Sequence, residues 1–155
     1  MTKDEALARV VEAFADVPRP AEFGRGTCGC EECAEHERTL TSHTPETIGL
    51  TELGNAGWDP MCFASDAAFA WYMPAMVRLA LTTDLYVDQL CFHLALPSRA
   101  EALTREQTLA VRDALWAYVE AAPPGELDPC DGYAIDEALR KLDERLAAAG
   151  DAAPS

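Results

Sequence analysis

The stretch "TREQTLAVRDALWAYVEAA", residues 104 to 122, is the strongest constraint on the fold. Thr104 and Gln107 stand at capping-box spacing, and Val111, Leu115, Tyr118 and Val119 share one face of a 3.6-residue period. The opposite face is charged, and Pro123-Pro124 ends the run. A segment with this start, period and stop cannot bury its apolar stripe as a strand, whose side chains alternate every second residue.

The same grammar recurs along the chain. "MTKDEALARVVEAFADV" places Leu7, Val10, Val11 and Phe14 on an amphipathic helix. Ser65 or Asp66 can cap "AAFAWYMPAMVRLALTT", which runs to about Thr83 with Pro74 kinking or restarting it. Asp84 begins "LYVDQLCFHLAL", stopped by Pro97. From about Tyr133 to Ala149, Ile135, Leu139, Leu142 and Leu146 fall at spacings of about three to four, and Gly150 is a stop signal. Strand-like alternation is scarce. The 155 residues are 49% hydrophobic, enough for one core. The reading is all-α: a single helical domain over 1–155 with five or six helices and flexible ends at about 1–2 and 150–155. A long Gly-rich loop, about 43 to 64, packs on the helical core, with Trp58 pinning it there.

Charge excludes whole classes of partner. Twelve Lys and Arg stand against 27 Asp and Glu, a net charge of −15. Nucleic-acid binding takes most of its affinity from basic side chains displacing counterions, and anionic membrane surfaces need the same. Neither fits this chain; a basic protein partner would. "AAFAWYMPAMV" is too short to span a bilayer, and the N-terminus lacks the pattern of a signal peptide. The protein is expected in the cytoplasm, where six cysteines serve as thiols or metal ligands rather than as a disulfide framework.

Four metal-ligating residue types crowd into "GTCGCEECAEHERTL": Cys28, Cys30, Cys33 and His36. On a helix, Cys30, Cys33 and His36 fall within an arc of about 120° and about 9 Å of axis, within reach of one ion. Gly26 and Gly29 let Cys28 curl in from the loop as a fourth ligand. Thiolate and imidazole donors suit zinc, though four ligands from one short stretch is unusual for a zinc finger. His43, Cys62, Cys91, His93 or Cys130 are alternative sources of a missing ligand. Buried structural thiols, and a Cys30–Cys33 redox dithiol at a helix start, are the competing readings; Glu31 and Glu32 oppose the second.

No enzyme motif is complete. The zinc-deaminase pattern fails on order and spacing, since Glu37 follows His36 directly and the cysteines precede both. "DPCDGYAIDEAL" fails as a calcium loop because Leu127 and Ala138 fall at ligating positions; it reads as a turn and helix cap. His93 reads first as a core histidine.

"CEECAEH", "SHTPETI", "LGNAGWDPMCF" and "WYMPAMVRLAL" together resemble an uncharacterised family of small bacterial proteins, a domain of unknown function, over about residues 28 to 82. Its C-x2-C-x2-H segment, W-D-P loop and proline-containing helix map onto Cys30, Cys33 and His36, then Trp58, Asp59 and Pro60, then Pro74. Cys28 lies outside that pattern. The resemblance implies no activity. The preferred reading is a metal-binding, zinc-type helical module with a structural Cys/His site. The alternatives are a hydrolase-like metal enzyme with an open coordination position and Asp59 or Glu37 as base, or a metal-free acidic protein-interaction domain.

Overall fold

The computed structural model describes residues 1–26, 28–83, 85–123 and 125–150. Among them are eight α-helices and no strand: α1 (Lys3–Ala13), α2 (Glu31–Ser42), α3 (Leu50–Leu53), α4 (Asp66–Thr83), α5 (Val87–Ala95), α6 (Pro97–Glu101), α7 (Arg105–Ala121) and α8 (Pro129–Gly150). The all-α expectation holds and the count of five or six does not. The two additions, α3 and α6, are single turns, too short to show an apolar period. Pro97 ends α5 as expected, yet its fixed φ also suits the first position of α6. The proposed start at Asp84 and the chain end after Gly150 lie outside the described residues.

Caps explain the boundaries. Thr2 and Glu5 form a capping box on α1, and Thr104 and Gln107 form the expected one on α7. Asp128 accepts the Cys130 amide at 2.8 Å and so opens α8, which is the turn-and-cap role read from that stretch. Pro74 does not restart its helix; α4 runs through it from Asp66 to Thr83. Proline has no N–H to return to the carbonyl of residue 70, and packing on several sides outweighs that loss.

Helix α4 is the centre of the core. Phe69, Tyr72, Met73, Met76, Val77, Leu79 and Leu81 are all buried, so it is apolar around most of its circumference. Helix α1 packs on α7 and α4, and α5 packs on α8 and α4. No helix is long and apolar enough to cross a membrane, among the described residues.

The connection from 43 to 64 is structured. It contains α3 and 3-10 turns at Ala56–Trp58 and Pro60–Cys62, and it buries Ile48, Leu53 and Met61. Trp58 is not its main anchor, being 41% exposed. Polar side chains reaching from the helices hold the loop's carbonyls instead. Arg78 donates to Pro45 and Ile48 at 3.2 and 2.8 Å, and Gln89 donates to Leu53 at 2.9 Å. Fully buried Arg99 donates to Met61, Ala64 and Ser65 at 3.1, 2.8 and 3.2 Å. The Tyr72 hydroxyl lies 2.5 Å from the Leu40 carbonyl and 2.9 Å from that of His43, tying the end of α2 to α4. Each of these satisfies backbone groups that a loop over a core would leave orphaned.

Candidate metal centre

The approach to α2 is built by backbone pairing. Ser65 donates to the Phe23 carbonyl at 2.7 Å, and Arg25 donates to that of Phe63 at 2.9 Å, forming an isolated bridge between Gly24 and Ala64. The Glu37 carboxylate reaches back from α2 to accept the amides of Phe23 and Gly24 at 3.3 and 2.6 Å. A Cβ at Gly24 would stand 2.9 Å from that carboxylate, so a larger residue there would push the Glu37 side chain off these amides. At Gly26 the backbone takes φ +78°, which other residues rarely adopt, and this turns the chain toward the start of α2.

Three sulfurs converge where that turn meets the helix. Cys30 is the N-cap of α2, its Sγ accepting the Cys33 amide at 3.5 Å. The Sγ atoms of Cys28, Cys30 and Cys33 all lie within 4.8 Å of one another. Thiolates on one tetrahedral zinc sit about 3.8 Å apart, given a metal–sulfur bond of about 2.3 Å, so small side-chain rotations would close the set on an ion. Cys28 and Cys30 are exposed and Cys33 is half-buried. Hydrogen bonds from the Cys28 thiol and the Cys33 amide lower the Cys30 pKa, whereas Cys33, donating to Cys30 and partly desolvated, is pushed up to about 12. Cys30 therefore gives up its proton more easily than an ordinary thiol and Cys33 less easily, a resistance that a bound cation would oppose.

His36 does not join them. Although Cys30, Cys33 and His36 share an arc of the helix, His36 is 1% exposed and its ring lies between Phe63 and Trp58, at centroid distances of 4.4 and 4.8 Å. Its Nε2 has no hydrogen-bond partner and stands 3.7 Å from Glu32. The expected ligand is thus an aromatic contact: a six-residue step along the axis takes His36 past the helix start and under the loop. Among the described residues, no fourth Cys, His, Asp or Glu donor completes the thiol group within 4.8 Å.

The other residues singled out in the sequence are placed as follows. Glu37 is held by two amides, as above. His43 Nδ1 bonds the Thr39 carbonyl at 2.8 Å, a helix-end contact, with Nε2 3.7 Å from Glu52. Cys91 is buried, its thiol pushed up to about 12 by desolvation and by Asp88 and Asp131. Cys130 is exposed.

A second convergence joins Asp59, Cys62 and His93, again with one ligand atom from each within 4.8 Å of the others. His93 Nε2 lies 2.7 Å from Asp59 Oδ2, and both residues are buried. Asp59 Oδ2 also accepts from Gln89 at 3.0 Å, and Oδ1 accepts the Met61 amide at 2.9 Å. His93 therefore does act as a core histidine bonded to a neighbour, but that neighbour is 34 positions away in sequence. No spacing rule could have paired them; the only signal was a lone carboxylate, Asp59, beside the apolar Pro60 and Met61, and a lone histidine in an apolar helix.

Fold and site together define an all-helical protein with a surface thiol cluster able to hold a metal ion. No family model matches the chain, and neither does any curated protein or solved structure at the level of similarity that shows kinship.

Proposed function

We propose that this is a cytoplasmic metal-binding protein whose Cys28, Cys30 and Cys33 hold a thiophilic ion of the zinc type through three thiolates. The convergence of three sulfurs within 4.8 Å at a helix start carries this reading. Three soft donors select zinc or another thiophilic ion over magnesium or calcium. The resemblance to the small bacterial family belongs to the same proposal, with its cysteine pair at Cys30 and Cys33 and with Cys28 in place of the histidine.

The ion's task is local. Glu37, Tyr72, Arg78 and Arg99 already fasten the approach segment and the long loop, so metal is not needed to hold those to the core. It would instead fix the segment from Cys28 to Cys33 relative to the start of α2. The fourth coordination position falls to water or to a donor from a partner, which suits an exchangeable site better than a closed structural one. The hydrolase-like alternative loses support at this site, because Glu37 is engaged by two amides and Asp59 is buried against His93.

The test is metal analysis of protein purified without chelator, with thiol titration before and after chelation. One zinc per chain with three thiols protected until chelation supports the reading. An absence of zinc, with every exposed thiol reactive at the outset and no uptake of added Zn2+, overturns it.

A further inference from the structure

Besides the thiol cluster, we infer that Asp59, Cys62 and His93 form a second, mixed-donor site for a zinc-type divalent cation, with an open coordination position facing a cavity beside α5. The inference goes beyond the surface thiol site and shares no residue with it.

Geometry comes first. The three donors arrive from the 3-10 turn at Pro60–Cys62, its cap, and α5, so the tertiary fold fixes their separation rather than one flexible stretch. A carboxylate, a thiolate and an imidazole are each accepted ligands of zinc, and three protein ligands plus an open position is the form that zinc takes in reactive sites. Two ligands of one zinc with bonds of about 2.0 Å lie about 3.3 Å apart, so the 2.7 Å contact of His93 and Asp59 would have to open by about 0.6 Å. The carboxylate is already oriented by the Gln89 amide and the Met61 N–H, the kind of outer bonds that position metal ligands.

A nucleophile–base pair is the rival chemistry for a cysteine, a histidine and an aspartate together. It would need Asp59 on one ring nitrogen of His93 and Cys62 on the other. Here Asp59 holds Nε2, while Nδ1 is buried without any partner, sulfur included. A purely structural hydrogen-bond network explains Asp59 and Gln89 but leaves two facts over. Cys62 turns its sulfur toward the pair from an exposed position. And Tyr86, fully buried and near enough for the charges of Asp59, Cys62 and Asp88 to raise its pKa further after burial, has a hydroxyl with no hydrogen-bond partner. Unsatisfied polar atoms around a group of convergent ligands mark a place where a bound ion and its water would complete the bonding.

The cavity has a volume of about 260 Å³ and is lined by Ala56, Asp59, Cys62, Asp88, Gln89 and Phe92. Asp59 and Asp88 make it attractive to a cation, and Phe92, 55% exposed, supplies an apolar wall. The ligand class is therefore a divalent cation carrying water or one small molecule.

The experiment uses the full chain with Cys28→Ser, Cys30→Ser and Cys33→Ser, so that the surface site cannot contribute, and titrates it with Co2+. The expected result is one Co2+ per chain with a near-ultraviolet sulfur-to-cobalt absorption that Zn2+ displaces. Adding Cys62→Ser should abolish that absorption and weaken Zn2+ binding by more than about a hundredfold, beyond what loss of an outer-shell partner costs. Cys62 is exposed, so this variant keeps its fold, which unchanged helical circular dichroism will verify. Failure of the triple variant to bind Co2+, binding without the sulfur absorption, or an absorption that survives Cys62→Ser each overturns the inference. Cys62→Ser with the other cysteines intact reports on the surface thiols alone, so the two sites fail or succeed separately.

Discussion

The imidazole of His36 stacks on Phe63 with ring centroids 4.4 Å apart and planes inclined by 20°, while Trp58 closes its other side. This contact joins α2 to the loop through aromatic packing. His36→Ala should therefore lower stability by about 1–3 kcal/mol, the scale of a lost buried ring contact, and leave metal stoichiometry unchanged. Urea denaturation and metal analysis on the same preparation check both halves. Loss of the ion in His36→Ala would return this histidine to the ligand set.

The three thiols stand as equals in the surface site. Cys28→Ser, Cys30→Ser and Cys33→Ser should each lower zinc affinity by at least about tenfold, and Cys28→Ser should be as severe as Cys33→Ser. Competition with a chromogenic chelator measures this. Binding unaffected by Cys28→Ser would exclude that sulfur and leave only the pair at Cys30 and Cys33.

Trp58 is 41% exposed and its ring packs against His36. Its truncation to alanine should cost about 1–2 kcal/mol, well below the roughly 3–5 kcal/mol of a fully buried aromatic. By contrast, Arg99→Leu should cost about 3 kcal/mol or more, since it strands the carbonyls of Met61, Ala64 and Ser65 in the core. Comparing the two melting curves ranks the loop's anchors. A larger loss for Trp58→Ala than for Arg99→Leu would reverse the order argued from the structure.

Alkaline pH should destabilise the protein through buried acids that ionise less readily folded than unfolded. Burial pushes the Cys91 thiol from its ordinary 9.0 to about 12 and the Tyr72 hydroxyl from 10.0 to about 12. Both folded values exceed the unfolded ones, so between about pH 9 and 12 the folded state holds more protons and stability falls as pH rises. Each group contributes a slope approaching 1.4 kcal/mol per pH unit within its window. Cys91→Ala should flatten the decline that begins near pH 9, while below that pH its effect should be constant. Denaturation midpoints measured from pH 7 to 11 check this, and an identical slope in the variant would place the decline elsewhere.

The sequence by itself determined the helical class and most helix ends. Caps and proline stops act within a few residues, and an amphipathic period is meaningful only when one face is buried, as at Val111, Leu115 and Tyr118. It also determined that Cys28, Cys30 and Cys33 could meet, since a glycine turn and one helical turn are local geometry. Tertiary structure decided the rest. His36 shares the cysteines' helix, but the loop that returns over α2 brings Phe63 and Trp58 to its ring, and burying that ring against two aromatics takes it away from the sulfurs. Asp59 and His93 meet across 34 residues because α5 packs on α4 beneath the loop, and Arg99 is buried because three loop carbonyls turn inward to it. Such pairings depend on which helix faces pack together, and no local rule of spacing encodes that choice.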